Sequence, residues 1–444
     1  MARIEFVVPS VLNRGQGEKK IALDAADLQD AFGRISEQMG DDFKRRVFDH
    51  NGKPRSLINI YINGKNMRFS GGMTSPLKDG DSVYILPAVA GGGELTSDEM
   101  QRYSRQVMLE EIGFEGMEKI RGAKVCVVGA GGIGNPVATQ LVAMGVGKVR
   151  IVDRDVIEVT NLHRQHLYTD DDIGRVKVEV AAERLRKLNP GVEIEPVPTS
   201  VTKFTAESIV KGFDVVIDAL DSIDARYALN DACLKLSIPL IYAGAIGVTG
   251  TVCTILPNKS ACVKCRFPEL KEDEMPACST EGVHPSILYL VAGVEVSEAV
   301  KIIMGKEPDL VNTIFLMDLG NLTFDKFRIK RAEECPACGT TRKESKVAAR
   351  ELIIEELCGR DRGKRTWTVT PPEPVPVNLV RIVKSAESLG YSVKSRGNLG
   401  ITAVNAGRMS VSFLSSGAAT IVGAKDEEDA IRIYNTFVDG SRST

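Results

Sequence analysis

The run Lys124-Val125-Cys126-Val127-Val128 leads directly into Gly129-Ala130-Gly131-Gly132-Ile133-Gly134, and a helical stretch follows. A short apolar run of this kind reads as a strand buried on both faces of a parallel sheet. Gly129, Gly131, Gly132 and Gly134 let the backbone turn tightly and come close to a phosphate, which the N-terminus of the following helix attracts. A second apolar run, Val149–Val152, ends at Asp153, where a carboxylate can accept hydrogen bonds from ribose hydroxyls. Two more such runs are Asp214–Asp218 and Leu240–Tyr242. Strands alternating with helices imply a doubly wound α/β sheet. By itself this fingerprint fits NAD, FAD or ATP equally.

At 444 residues the chain is long enough for two to four domains. Its 57 basic and 59 acidic residues balance, so nothing points to nucleic acid or to an anionic membrane surface. No apolar run approaches the ~20 residues that span a bilayer. The N-terminal Met1-Ala2-Arg3-Ile4-Glu5-Phe6 goes straight into strand-like alternation without a signal-peptide pattern. Nine cysteines, four of them in two C-x-x-C pairs, fit a reducing cytoplasm and a metal site better than a disulfide scaffold.

Three domains are expected. Residues 1–93 alternate polar and apolar over Arg3–Val8 and Lys20–Leu23, and have helical spacing over Leu28–Met39. They turn strand-like again over Leu57–Ile62 and Ser82–Leu86, with Asn63-Gly64 and Asp79-Gly80 as turn signals. Strand, strand, helix, strand, strand is a β-grasp, ubiquitin-like pattern. It ends in Pro-Ala-Val-Ala-Gly-Gly-Gly over residues 87–93, a glycine-rich tail that holds no regular element. Residues 94–346 carry the Rossmann-like doubly wound sheet. Residues 347–444 form a small α+β domain: a hairpin over Leu352–Leu357 and Arg365–Val369, a stiff proline connector, a helix over Asn378–Leu389, four strands to Val422 and a last helix over Asp426–Val438.

Cys262-Val263-Lys264-Cys265 and Cys335-Pro336-Ala337-Cys338 supply four thiolates in two knuckles. Two residues between ligands allow a tight turn to aim both sulfurs at one tetrahedral ion, and the ligand set favours Zn²⁺, with iron as the chemical competitor. Cys126, Cys233 and Cys253 sit in apolar runs and read as packing residues.

The run Asp153-Arg154-Asp155-Val156-Ile157-Glu158-Val159-Thr160-Asn161-Leu162-His163-Arg164-Gln165 resembles the MoeB/ThiF family of adenylating enzymes, relatives of the ubiquitin-activating enzymes. So do Arg102-Tyr103-Ser104-Arg105-Gln106, Gly174-Arg175-Val176-Lys177 and Asp218-Ala219-Leu220-Asp221, in the same order along the chain. The resemblance implies that ATP and a carboxylate react to give an acyl-adenylate and pyrophosphate. The nucleophile is already ionised, so catalysis is positioning plus neutralisation of phosphate charge. It assigns Arg164 and Lys177 to the triphosphate, Asp221 to Mg²⁺ and Asn161 to phosphate orientation. Arg105 resembles the arginine that relatives insert into a neighbouring subunit, which implies a homodimer. Cys278, in Pro276-Ala277-Cys278-Ser279-Thr280, aligns with a loop cysteine at which several relatives take the activated carrier as a thioester or acyl-persulfide. A nicotinamide-dependent oxidoreductase would have no purpose for Arg164, Lys177 and the knuckles. A silent carrier-docking scaffold is the other class.

Residues 1–92 resemble the MoaD/ThiS sulfur carriers, whose tails end at a glycine like Gly92 after Gly91. In this sequence Gly93 and Glu94 follow, so the Gly92 carbonyl is an amide. Cleavage by a protease after Gly92 would free it. The alternatives are a separately encoded carrier with the fused copy regulatory, or conversion of the pair into a docking module. Residues 407–425 and the helix beyond them are similar in strand order to one half-repeat of the TATA-binding-protein fold, without a second half or a basic surface, so DNA binding is not carried over. No rhodanese-type active-site loop is visible, so a persulfide sulfur donor is expected to be another protein. The expected activity is carrier adenylation for molybdopterin or tungsten-pterin cofactor, thiamine or tRNA thiolation, with ubiquitin-like conjugation as the alternative.

Overall fold

The alternation at the N-terminus puts Ile4, Phe6 and Val8 on one face of the first strand, where all three are buried. The computed structural model describes residues 1–9, 12–13, 17–55, 58–87, 95–109, 111–268, 270, 281–340, 352–361 and 364–442. The expected tail glycines Gly91 and Gly92 and the loop cysteine Cys278 lie outside them. The chain divides into two units, Met1–Gly122 and Ala123–Thr444.

The first unit holds a five-stranded sheet of β1 (Ala2–Val8), β2 (Lys19–Ala25), β3 (Ile58–Ile62), β4 (Lys65–Asn66) and β5 (Ser82–Pro87), in the order β2-β1-β5-β3-β4. β1 is antiparallel to β2 and parallel to β5, with Phe6 opposite Ile21 and Val83. The helix Leu28–Met39 buries Leu28, Ala31, Phe32 and Ile35, the i, i+3, i+4, i+7 stripe, and Asp27 caps it. Phe32 meets Phe6 edge-on at 4.9 Å between ring centroids. A short helix, Asp41–Val47, and β4 add to the expected β-grasp order. The helix Ser97–Val107 starts at a Thr96/Glu99 capping box and belongs to this unit with the helix Gly113–Gly122.

The second unit is built on an eight-stranded sheet. Its strands are β6 (Lys124–Val128), β7 (Lys148–Val152), β8 (Glu193–Val197), β9 (Val215–Asp218), β10 (Leu240–Ile246), β11 (Thr249–Ile255), β12 (Thr313–Asp318) and β13 (Thr323–Arg328). The order is β13-β12-β11-β10-β9-β6-β7-β8. β8, β7, β6, β9 and β10 are parallel neighbours, and β10 through β13 run antiparallel in succession. The four apolar runs of the sequence are β6, β7, β9 and β10. The helices Gly134–Met144 and Pro285–Ile303 pack on one another and the second also covers β10 and β11. Its approach to β11 is close, since a Cβ at Gly250 would stand 2.4 Å from Val291 Cγ2.

The same unit carries a six-stranded antiparallel sheet, β14 (Ile353–Asp361), β15 (Lys364–Thr370), β16 (Ser392–Arg396), β17 (Gly400–Val404), β18 (Ser410–Leu414) and β19 (Ala419–Val422), in the order β14-β15-β19-β18-β17-β16. The helices Leu379–Ser388 and Glu427–Arg442 pack on each other and on this sheet. Phe413 stacks on Tyr434 and Phe437 in their shared core, with centroids 5.5 and 5.3 Å away.

Candidate nucleotide and metal sites

Gly129 ends β6 at φ +107°, a conformation L side chains rarely adopt, and its N–H donates to Val152 O of β7 at 2.8 Å. A Cβ on Gly129 would stand 2.4 Å from Ala219 O, and one on Gly134 would stand 1.8 Å from Gly129 O. The loop therefore packs closely on itself and on the turn after β9. In the loop, Ala130 O takes hydrogen bonds from Asn135 Nδ2 at 2.7 Å and from the Tyr168 hydroxyl at 2.9 Å. Asn135 and Tyr168 are both buried. Neither stood out in the sequence, because an Asn and a Tyr near a motif carry no spacing signal of their own.

Asp153, at the end of β7, accepts from the Ala130 N–H at 2.7 Å through Oδ2 and from the Asp155 N–H at 2.7 Å through Oδ1. Burial pushes its carboxyl up, and the Lys177 ammonium pulls the other way. Lys177 opens the helix Lys177–Leu188, is 5% exposed, and pairs with Asp155 Oδ2 at 3.0 Å. Arg164 donates to Thr160 O at 2.7 Å and lies against the loop, its Cδ 3.6 Å from where a Gly132 Cβ would be. Asn161 is buried, and its Oδ1 accepts from the Glu158 N–H at 3.1 Å, which shapes the turn that delivers Arg164.

The opposite wall is the turn after β9. Asp218 is fully buried; its Oδ1 accepts from the Leu220 N–H at 3.0 Å and lies 3.8 Å from Arg226 Nε. Arg226 also donates to the Leu220 carbonyl. The pair pins the turn that presents Asp221, which is exposed. The Arg226 guanidinium lies 4.6 Å from the Tyr242 ring centroid. Near this pair, the buried Glu295 from the helix Pro285–Ile303 has no hydrogen-bond partner on either carboxylate oxygen among the described residues. Burial, and then the Asp218 charge, push its carboxyl far above the usual glutamate range. Arg154, one residue past Asp153, pairs with Glu355 of β14. Burial works against the Arg154 charge, but Glu355, Asp155 and Asp221 outweigh it and hold the guanidinium above its ordinary range.

The four thiols of Cys262, Cys265, Cys335 and Cys338 all lie within 4.8 Å of one another. Cys262 Sγ is 3.7 Å from Cys335 Sγ and 4.0 Å from Cys265 Sγ, while Cys265 and Cys338 are 3.3 Å apart. Zinc–sulfur bonds of about 2.3 Å in a tetrahedron require sulfur pairs about 3.8 Å apart, so the set fits a zinc-sized ion. Burial raises the Cys338 thiol to about 11 and pushes Cys262 up as well. A divalent cation reverses that preference, since it binds the thiolate form. Among the described cysteines Cys126, Cys233 and Cys253 are buried, as expected of packing residues.

Residues 103–337 match the ThiF family and residues 17–92 match the ThiS family, the second match ending at Gly92. The chain belongs to the ThiF family. The sulfur carrier protein adenylyltransferase of Thermus thermophilus is 38% identical over 60% of this ThiF-family chain and 98% of its own length. The SAMP-activating enzyme E1 of Haloferax volcanii is 38% identical over 55% of the chain and 91% of its own. The adenylyltransferase and sulfurtransferase MOCS3 of Culex quinquefasciatus is 34% identical over 64% of the chain and 65% of its own. A ThiF domain of the adenylyltransferase kind and a ThiS ubiquitin-fold domain thus stand in one polypeptide.

Within this ThiF domain several of the expected nucleotide residues meet one loop. Gly129, Gly131, Gly132 and Gly134 form it, Asp153 hydrogen-bonds it, Arg164 packs on it and Asp221 stands on the turn that abuts it through Ala219. Arg105 is exposed on the helix Ser97–Val107 in the first unit. Among the described residues no helix is long and apolar enough to cross a membrane.

Proposed function

We propose that the chain adenylates the C-terminal glycine of a ubiquitin-like sulfur carrier. One observation supports this above the others: Arg164 packs against Gly132, Lys177 pairs with Asp155 beside the Asp153 that holds Ala130, and the Asp218–Asp221 turn packs on Gly129. The glycine loop and the helix N-terminus cradle the phosphates, and the two cations offset their charge. One carboxylate oxygen of the carrier glycine attacks the α-phosphorus, the bond from that phosphorus to the bridging oxygen breaks, and pyrophosphate leaves. Asp221 would hold Mg²⁺, which supplies charge neutralisation for the leaving pyrophosphate. The four cysteines would hold a structural Zn²⁺ that ties the chain after β13 to the knuckle after β11.

In this reading Arg105 enters the site of a second copy in a homodimer, and Asn161 helps orient the phosphates. Cys278 takes the acyl group from the adenylate, its sulfur displacing AMP. A protease frees the ThiS domain at Gly92, a persulfide sulfur donor is a separate protein, and the enzyme works in the cytoplasm. The acceptor pathway is pterin cofactor, thiamine or tRNA thiolation. A second reading, activation of a ubiquitin-like protein for conjugation, draws on the Haloferax relative, whose name is that of a SAMP-activating enzyme E1. Carrier-dependent exchange of labelled pyrophosphate into ATP tests the shared chemistry. A carrier ending at Gly92 should support exchange. No exchange with it or with other candidate carriers would leave the scaffold reading, and binding of NAD without ATP would point to an oxidoreductase.

A further inference from the structure

The crossover after β7 carries Asp153 and Asp155, and returns through Gly174–Lys177. The two stretches brace one another: Ile157 N–H donates to Arg175 O at 2.9 Å, Gly174 N–H to Ile157 O at 2.8 Å and Lys177 N–H to Asp155 O at 3.0 Å. The expected ribose and phosphate ligands Asp153 and Lys177 thus sit on two stretches joined by a β-bridge between Val156 and Val176. Residues 352–442 grip both stretches. On the outgoing stretch Glu355 pairs with Arg154, between the two aspartates. On the returning stretch Thr402 Oγ1 donates to Gly174 O at 2.8 Å. Beyond it, Glu179 is 6% exposed and its Oε1 accepts the Asn398 N–H at 2.6 Å. The fit there is tight. A Cβ at Gly397 would stand 2.1 Å from Glu179 Oε2, and one at Gly400 would stand 2.6 Å from Val176 Cγ2.

These contacts fall on the residues next to the expected ribose and phosphate ligands. Arg154 follows Asp153, Gly174 and Val176 precede Lys177, and Glu179 lies two residues after it. A surface ion pair is worth little, but a buried carboxylate committed to a backbone N–H of another sheet's turn fixes both sides. We propose that residues 352–442 form an in-chain clamp on the nucleotide site, with Glu355 and Glu179 as positioning residues that hold the Asp153–Asp155 and Gly174–Lys177 stretches ready for ATP. The proposal rests on the adenylation reading for the identity of the nucleotide. The clamp touches no phosphate; it acts by preorganising the groups that do.

The test uses the full chain, calorimetry with Mg²⁺-ATP, and pyrophosphate exchange in the presence of an added carrier that ends at Gly92. Glu355→Ala and Glu179→Ala are expected to weaken ATP binding about tenfold while the exchange rate at saturating ATP changes by less than about twofold, the pattern of lost binding without lost transition-state contact. Glu179→Gln keeps an oxygen acceptor for Asn398 and should restore affinity to within about threefold of the parent. Coupling is reciprocal, so ATP must also slow amide hydrogen exchange at Asn398 in the unaltered protein. That measurement needs no variant to fold. Unchanged ATP affinity in both alanine variants, or Asn398 exchange indifferent to ATP, overturns the clamp. An unaltered protein that binds ATP but exchanges no pyrophosphate with a carrier ending at Gly92 or with other candidate carriers sinks the adenylation reading, and the clamp is still decided by the binding constants. A protein that binds no ATP sinks both.

Discussion

Arg164, in the stretch after β7, packs on the glycine loop, and Asp221 stands on the turn after β9 whose Ala219 meets Gly129 of that loop. Arg164→Ala and Asp221→Ala are each expected to lower pyrophosphate exchange by at least about 10²-fold, the scale seen when one preorganised charge is removed from a reacting centre. Cys278→Ala should leave exchange intact and stop only the later transfer if, as proposed, its thiol acts on an adenylate already formed. Loss of exchange in that variant would put the thiol in an earlier step. Glu295 gives a different kind of prediction. Its carboxyl is buried without a hydrogen-bond partner among the described residues and is held protonated well above the usual range, first by burial. In the unfolded chain it ionises near pH 4.3, so Glu295 costs no stability below about that pH; above it the fold keeps a proton that the unfolded chain releases, and stability falls by about 1.4 kcal/mol per unit as pH rises toward the folded value. Glu295→Gln removes this penalty. Thermal unfolding should show the variant and parent alike near pH 4 and the variant increasingly more stable as pH rises above about 5. A gap that closes as pH rises would mean that Glu295 is ionised in the fold.

At the scale of elements, four of the five parallel strands of the large sheet were legible because β6, β7, β9 and β10 are largely buried and read as apolar runs, whereas the edge strand β8, with one buried residue among five, was not. The antiparallel half was not. β13 is exposed at all six positions and β12 is only half-buried, so neither shows the contrast between faces that marks a strand. The C-terminal hairpin and its helices were legible from local pattern, but their grip on Arg154 and Glu179 was not, because the partners lie about 200 residues apart and no local pattern encodes such a pairing. The same logic hid Asn135 and Tyr168, whose roles come from the loop they meet. The cysteine knuckles were the opposite case, since two C-x-x-C pairs state their own geometry. They join the helix Val263–Arg266 to the stretch after β13. Metal analysis should find one zinc per chain, and Cys338→Ser should abolish it and lower the unfolding midpoint by about 5 °C or more, because metal binding to such a site is folding free energy. Full stability in a metal-free protein would reduce the knuckles to packing residues.

For the whole molecule the decisive bond is the peptide link after Gly92, where the ThiS match ends. An amide carbonyl has no oxygen free to attack phosphorus, so the fused ThiS domain cannot be a substrate while that bond stands. A tail that no longer reacts would need no pair of glycines, whereas a tail that must thread a narrow channel does, since any Cβ would meet its walls. Cleavage reconciles the two: hydrolysis after Gly92 adds water across the amide and leaves a glycine carboxylate on one fragment and an amine on Gly93 of the other. Under this proposal the ThiF portion would then activate a carrier made in equal amount from the same polypeptide. Intact mass of the protein from its native cell should therefore show a fragment ending at Gly92 and a second beginning at Gly93. A single undivided mass, together with exchange supported only by a separately encoded carrier, would make the fused domain regulatory. An undivided chain that supports no exchange with any carrier would make it a docking module.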